Sequence, residues 1–194
     1  DVEIVTIAPP FVAEALAIRE IDGICVGEPW NSVAVERGVG VIVNVTSHIW
    51  LRGVEKVLAM QTARAEAEPE IVHRMIRALH KAGEIFVDPA RYSANSAILA
   101  RSEYLDGSAD LIERAISDRI TLAAGQEPVH IPDFMFQHRE AANFPWVSQA
   151  AWLYAQMVRA GHVVKSGPGY AAAQRVFRPD IYRAAFAGTQ VPLP

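Results

Sequence analysis

A single cysteine, Cys25, is all the thiol chemistry this sequence carries. One thiol cannot form an internal disulfide, and it excludes a cysteine-rich metal site. Set between Ile24 and Val26, it reads as an inert residue of a buried strand. The lack of disulfides leaves the compartment open. Long hydrophobic runs are missing too: no stretch approaches the roughly 20 apolar residues that a spanning helix needs. A basic excess is also absent. Lys and Arg number 18 against 22 Asp and Glu, a net charge of −4, which argues against direct nucleic-acid binding. A small anion site remains open, because one lysine and a few backbone N–H groups suffice for it. There is no phosphate loop, dinucleotide fingerprint, Gly-x-Ser-x-Gly elbow, internal repeat or low-complexity segment. The acids are scattered over helix faces and no nucleophile–base pair stands out. With none of these present, neither an enzyme nor a cofactor is expected.

What is present suits a globular α/β chain. Half of the 194 residues (51%) are hydrophobic and 21% are charged, enough for a sizeable core in one or two domains. Residues 1–7 alternate polar and β-branched side chains and predict a strand. Pro9-Pro10 breaks it, and a short helix follows to about Arg19. Strands are expected at 23–26, 39–46 and 56–60, with a helix over 31–36 ended by Gly38. The first strand–helix–strand unit implies parallel pairing. A strong amphipathic helix opens at Pro69 and ends before Asp88-Pro89, with Val72, Met75, Ile76, Leu79 and Phe86 on its apolar stripe. Further helices are expected at 91–100, 110–117 with Ser108 as N-cap, 145–157, 170–176 and 179–186. Residues 129–136 read as an edge strand around Pro132, and 189–194 as a tail.

The stretch IDGICVGEPW, residues 21–30, organises this reading. The run 24–26 stops at Gly27, and Pro29 suits the first turn of a helix. Such a strand-to-helix junction aims free N–H groups and a positive dipole end at one spot. Gly27 permits close backbone approach to a ligand. Ligands of open α/β sheets sit beyond strand carboxyl ends, where this junction falls. The plain alternative is an ordinary turn with Trp30 packed in the core.

The wording of the chain resembles a known family. IDGICVGEPWNSVAV is similar to the solute-binding proteins of nitrate and bicarbonate ABC transporters, and to the related nitrate sensors that hold a transcription antiterminator. Three further blocks fall in the family's order: HIW (48–50) leading to VEKVL (54–58), PDF (132–134) through ANFPW (142–146) to Trp152, and FRPDIYR (177–183). The resemblance implies a fold of the periplasmic-binding-protein type II kind, two α/β lobes around a cleft. Residues 1–55 would belong to the second lobe. Residues 56–194 would supply the crossover strand and a mostly helical region returning to the first lobe. Family members are about twice as long, so the chain would correspond to their second half, and its start reads as already inside a domain.

The resemblance also implies the site. The ligand would be a small oxyanion (nitrate, nitrite or bicarbonate) held by Gly27, Glu28, Trp30 and Lys56. By its chemistry alone Lys56 is either a solvated lysine at a strand edge or a point charge with up to three donors for an oxyanion; the family uses a lysine of this block together with the glycine backbone. Gly53-Val54 stand where many relatives have His-Pro, which puts the loop geometry in question. The implied partner is an ABC permease with a periplasmic location, or a regulatory protein in the cytoplasm for a sensor. A thiamine-precursor enzyme on the same fold would need a reactive residue such as Cys25. No metal site is expected. His73 and His80 lie two turns apart on one helix face, and His130, Asp133 and His138 match no standard zinc spacing. Trp146 and Trp152 read as core or interface residues.

Overall fold

A computed structural model describes residues 2–194 of the chain. It divides into two compact units: the chain up to Gly53 together with Phe86–Phe136, and Val54–Ile85 together with Gln137–Pro194. Residues 86–136, placed with 56–194 in the reading above, thus group with the chain up to Gly53.

In the first unit, a 3-10 turn at Pro9–Phe11 leads into α1 (Val12–Ala17), and α2 spans Trp30–Glu36. These two helices pack together through Val12, Ala13, Ala15, Ala34 and Val35, all buried. Gly38 ends α2 at φ +67°, a backbone state that glycine enters without a Cβ penalty. A single-turn helix, α3 (Thr46–Ile49), follows. After the second unit's first stretch, α4 (Thr62–Ala67) and α5 (Pro69–Phe86), the chain returns through a 3-10 turn at Pro89–Arg91 to α6 (Tyr92–Leu99) and α7 (Ala109–Ile116). Ser108 caps α7 as expected, its hydroxyl accepting from the Leu111 N–H at 3.4 Å.

Strands β1 (Arg119–Ile120) and β2 (Val129–His130) form an antiparallel ladder, Arg119 opposite His130 and Ile120 opposite Val129. Among the described residues this is the one strand pairing found. Val45, Ala115, Ile120 and Ile131 make the core beside it. Arg114 locks the helices around that core, donating to Thr121 Oγ1 at 2.7 Å and Glu36 Oε1 at 2.6 Å, with Asp110 Oδ2 at 3.0 Å.

The strands expected at 1–7, 23–26, 39–46 and 56–60 do not appear as strands; of these positions Asp1 lies outside the described residues. None of these segments joins a strand ladder among the described residues. Several of their apolar side chains are bare, with Ile4 and Val43 each 92% exposed and Val57 63%, whereas Val45 is buried in the core beside β1. A strand exists only by pairing, and although the Ile42 N–H reaches the Leu122 carbonyl at 2.8 Å, no ladder forms around it among the described residues. The parallel pairing across α1 is absent for the same reason. Cys25, expected in a buried strand, is exposed. The edge strand at 129–136 shrinks to β2.

In the second unit, α5 follows its sequence signals, with Pro69 at the start, Glu70 in the first turn and 18 residues in length. Ile76 of α5 packs against a core of Phe144, Tyr182, Ala185 and Phe186. Arg77 donates to the Ala185 carbonyl at 3.0 Å and to Glu70 at 2.8 Å. Beyond a 3-10 turn at Arg139–Ala141 come α8 (Val147–Arg159), α9 (Gly167–Val176) and α10 (Pro179–Ala185). The segment 189–194 is no loose tail: Val191 and Leu193 pack on the Phe144 core, and the Arg183 guanidinium donates twice to the Pro194 carbonyl. Among the described residues no helix is long and apolar enough to cross a membrane.

Candidate functional site

The turn at 26–32 is the part of the expected site that the structure defines most closely. Val26 and Gly27 lie outside any helix or strand, and the Glu28–Pro29 peptide bond is cis. Pro29 is buried and caps α2 from outside, so that the helix begins at Trp30 and Pro29 is not inside its first turn. The Asn31 amide donates to the Val26 carbonyl at 2.8 Å, tying the helix back onto the preceding chain. The Glu28 side chain folds onto the same turn and accepts the Ser32 backbone N–H at 3.2 Å. Burial pushes the Glu28 carboxyl above its ordinary value of 4.5, against the lowering effect of its hydrogen bonds with Ser32 and Asn31. The first turn of α2 is therefore capped by the chain's own acid, whereas the sequence suggests open N–H groups there. Gly27 remains exposed beside this turn, and Trp30 is half-buried on it.

Lys56 lies in the second unit, on the stretch before α4. Its side chain is 79% exposed and ion-paired with the neighbouring Glu55 at 2.5 Å. Exposed ion pairs of this kind contribute little to stability, so the ammonium is held loosely. The structure thus brings Gly27, Glu28 and Trp30 onto one turn and sets Lys56 on a different unit. Gly53 has a local explanation in the structure. A Cβ there would stand 2.7 Å from the Trp50 ring, so glycine lets that ring lie against the backbone.

The other singled-out residues fall elsewhere. Trp146 sits just before α8, its indole N–H donating to the Ala141 carbonyl at 3.3 Å and its ring edge-on to Phe144. Trp152 is on α8, 39% exposed. A groove of about 340 Å³ opens between α9 and α10, lined by Val147, Arg175, Phe177, Arg178, Pro179 and Asp180. Arg178 is already neutralised there by a two-pronged bond to Asp180, at 2.8 and 2.7 Å. His80 and His138, which the sequence places in two unrelated groups, meet: their ring centroids are 4.7 Å apart.

Comparison with known proteins gives one answer at several levels. Residues 1–100 match the model of the NMT1-like family. The chain is 33% identical over its whole length to the nitrate import ATP-binding protein NrtC of Synechococcus elongatus, of which it covers 29%. It is 28% identical over 95% of its length to the nitrate/nitrite binding protein NrtA of the same organism, covering 42% of that protein. Its structure superposes on the crystal structure of the periplasmic nitrate-binding protein NrtA from Synechocystis PCC 6803 with a TM-score of 0.90 and 22% identity, over 97% of this chain and 49% of that one. The chain spans less than half the length of each of these proteins. The family resemblance carried by the four sequence blocks is borne out, and so is the expected fold class.

Proposed function

The chain belongs to the NMT1-like family, and on that premise we propose that it forms part of a solute-binding protein for nitrate or a similar small oxyanion. The observation that carries this reading is the 28% identity, over 95% of the chain, to a nitrate/nitrite binding protein. In the proposal the first unit belongs to the second lobe of a two-lobed binding protein, and the second unit belongs to its helical return. The exposed edges at Ile4 and Val43 pair with strands supplied by the rest of a longer protein. Gly27 offers its backbone N–H and Lys56 its ammonium to the anion, while Glu28 and Trp30 shape the turn beside it. Each charge-assisted hydrogen bond is worth roughly 1.5–3 kcal/mol. A few of them, with matching groups from the other lobe, approach the ~8 kcal/mol of a micromolar complex. Lobe closure on the anion is the signal that an ABC permease reads, outside the cytoplasm.

Calorimetric titration of the full-length protein with nitrate, nitrite and bicarbonate tests the reading. Saturable heat with at least one of these anions, and none with chloride, is the expected result. Silence with all three would leave only the fold.

A further inference from the structure

On the second unit, His80 and Glu84 of α5 meet His138 of the following segment. Each can present one ligand atom, and the three atoms all lie within 4.8 Å of one another. His80 and Glu84 are one helical turn apart, so they share a face, and His80 Nε2 stands 3.7 Å from Glu84 Oε1. The other carboxylate oxygen, Oε2, is held by Lys81 at 2.7 Å, which leaves Oε1 turned to the imidazole. The remaining nitrogen of His80, Nδ1, lies 3.4 Å from the Tyr182 hydroxyl. Its ring is wedged edge-on against Phe186, centroids 4.9 Å apart. That arrangement fixes the ring's orientation from behind, as the outer partners of metal-bound histidines do.

His138 arrives by an unusual route. It adopts φ +62° and ψ −48°, and the Arg139 N–H closes a three-residue turn onto the Gln137 carbonyl at 2.6 Å. This backbone state is rare and strained for a residue with a Cβ. Its target is Gly83: a Cβ at that position would lie 3.0 Å from His138 Nδ1 and 3.2 Å from His138 Cβ. A glycine within a helix costs up to about 1 kcal/mol in propensity, and here, in the last turn of α5, it admits the second imidazole next to the first. His138 Nδ1 is buried and has no hydrogen-bond partner, where buried polar atoms are nearly always satisfied.

We propose that His80, Glu84 and His138 form a binding site for a divalent transition ion of the Zn²⁺ class. Two imidazoles and one carboxylate are a donor set such an ion prefers, and the two imidazoles are poor ligands for Mg²⁺ or Ca²⁺. Bonds of about 2.0–2.1 Å place tetrahedral ligand atoms roughly 3.4 Å apart, so side-chain movements of about an ångström close the site. A fourth position stays open to water. The bound ion ties the 137–144 segment to α5 and offsets the strained turn at His138. The site is separate from the residues assigned to the oxyanion.

The test uses the untagged full chain, stripped with chelator and titrated with Zn²⁺, Co²⁺ and Mg²⁺. One equivalent of Zn²⁺ should bind and raise the melting temperature, and Co²⁺ should show the visible bands of a four- or five-coordinate ion. Glu84→Gln changes an exposed side chain and should keep the fold while weakening Zn²⁺ at least about tenfold, and His138→Ala should do the same. Equal Zn²⁺ affinity in the parent and both variants would overturn the site, as would a melting shift no larger with Zn²⁺ than with Mg²⁺.

Discussion

The Glu28 carboxylate accepts the backbone N–H of Ser32 at 3.2 Å, so the first turn of α2 is closed by an acid that burial discourages from ionising. The native state holds this carboxyl's proton more tightly than the unfolded chain does. Its contribution to stability is therefore complete below the ordinary value of 4.5 and is lost as pH rises through the raised native value. Glu28→Gln keeps an acceptor for Ser32 and removes the ionisation. The variant should match or exceed the parent in stability at neutral pH, and the difference should vanish in acid. Urea midpoints measured across the range from about pH 4 to 7 check this.

Gly169→Ala should destabilise the second unit. The added Cβ would stand 2.8 Å from both Ser166 Oγ and Tyr154 Oη. Those atoms are not free to yield. Ser166 Oγ accepts the Gly169 N–H at 3.1 Å as the cap of α9, and Tyr154 Oη accepts the Ser166 N–H at 2.9 Å. A loss of about 1–3 kcal/mol is expected. Ser166→Ala, which removes only the cap, should cost about 1 kcal/mol. Denaturant unfolding of both variants gives the comparison.

Phe186→Ala removes a ring packed against Tyr182, at 5.1 Å between centroids, and against His80. Phe186 is 4% exposed, and truncation should cost about 3–5 kcal/mol. The same truncation reasoning applied to Val43, 92% exposed, predicts a change within about 0.5 kcal/mol for this chain by itself. Thermal melts of the two variants should separate widely.

The helices were legible in the sequence because their signals are local. The proline and acid at the start of α5, Ser108 before α7 and Gly38 after α2 each act within one turn, and each stands where expected. The extended segments were legible only as apolar alternation. Whether they become strands depends on partners distant in sequence, and Ile4 and Val43 find none among the described residues. Cys25 is exposed for the same reason, since burial of that segment requires neighbours on both sides. On the candidate site, the pattern of residues 27–30 gave a helix start but not the return of the Glu28 side chain onto Ser32. The meeting of His80 with His138 was hidden because it needs Gly83 and a strained turn 55 residues further on, and neither has a spacing rule.

Amide exchange tests the proposed edges. In the full-length protein the amides of Ile4 and Val43 should be protected, and in the chain spanning 1–194 by itself they should exchange quickly. Equal, fast exchange in both would remove the proposed strand pairing.

The most direct measurement is calorimetric titration of nitrate into the full-length protein and its Lys56→Ala variant. Removing a charged donor should weaken binding about tenfold or more, with the fold unaffected because Lys56 is largely exposed. Nitrate affinity unchanged by the substitution would contradict the placement of Lys56 at the anion.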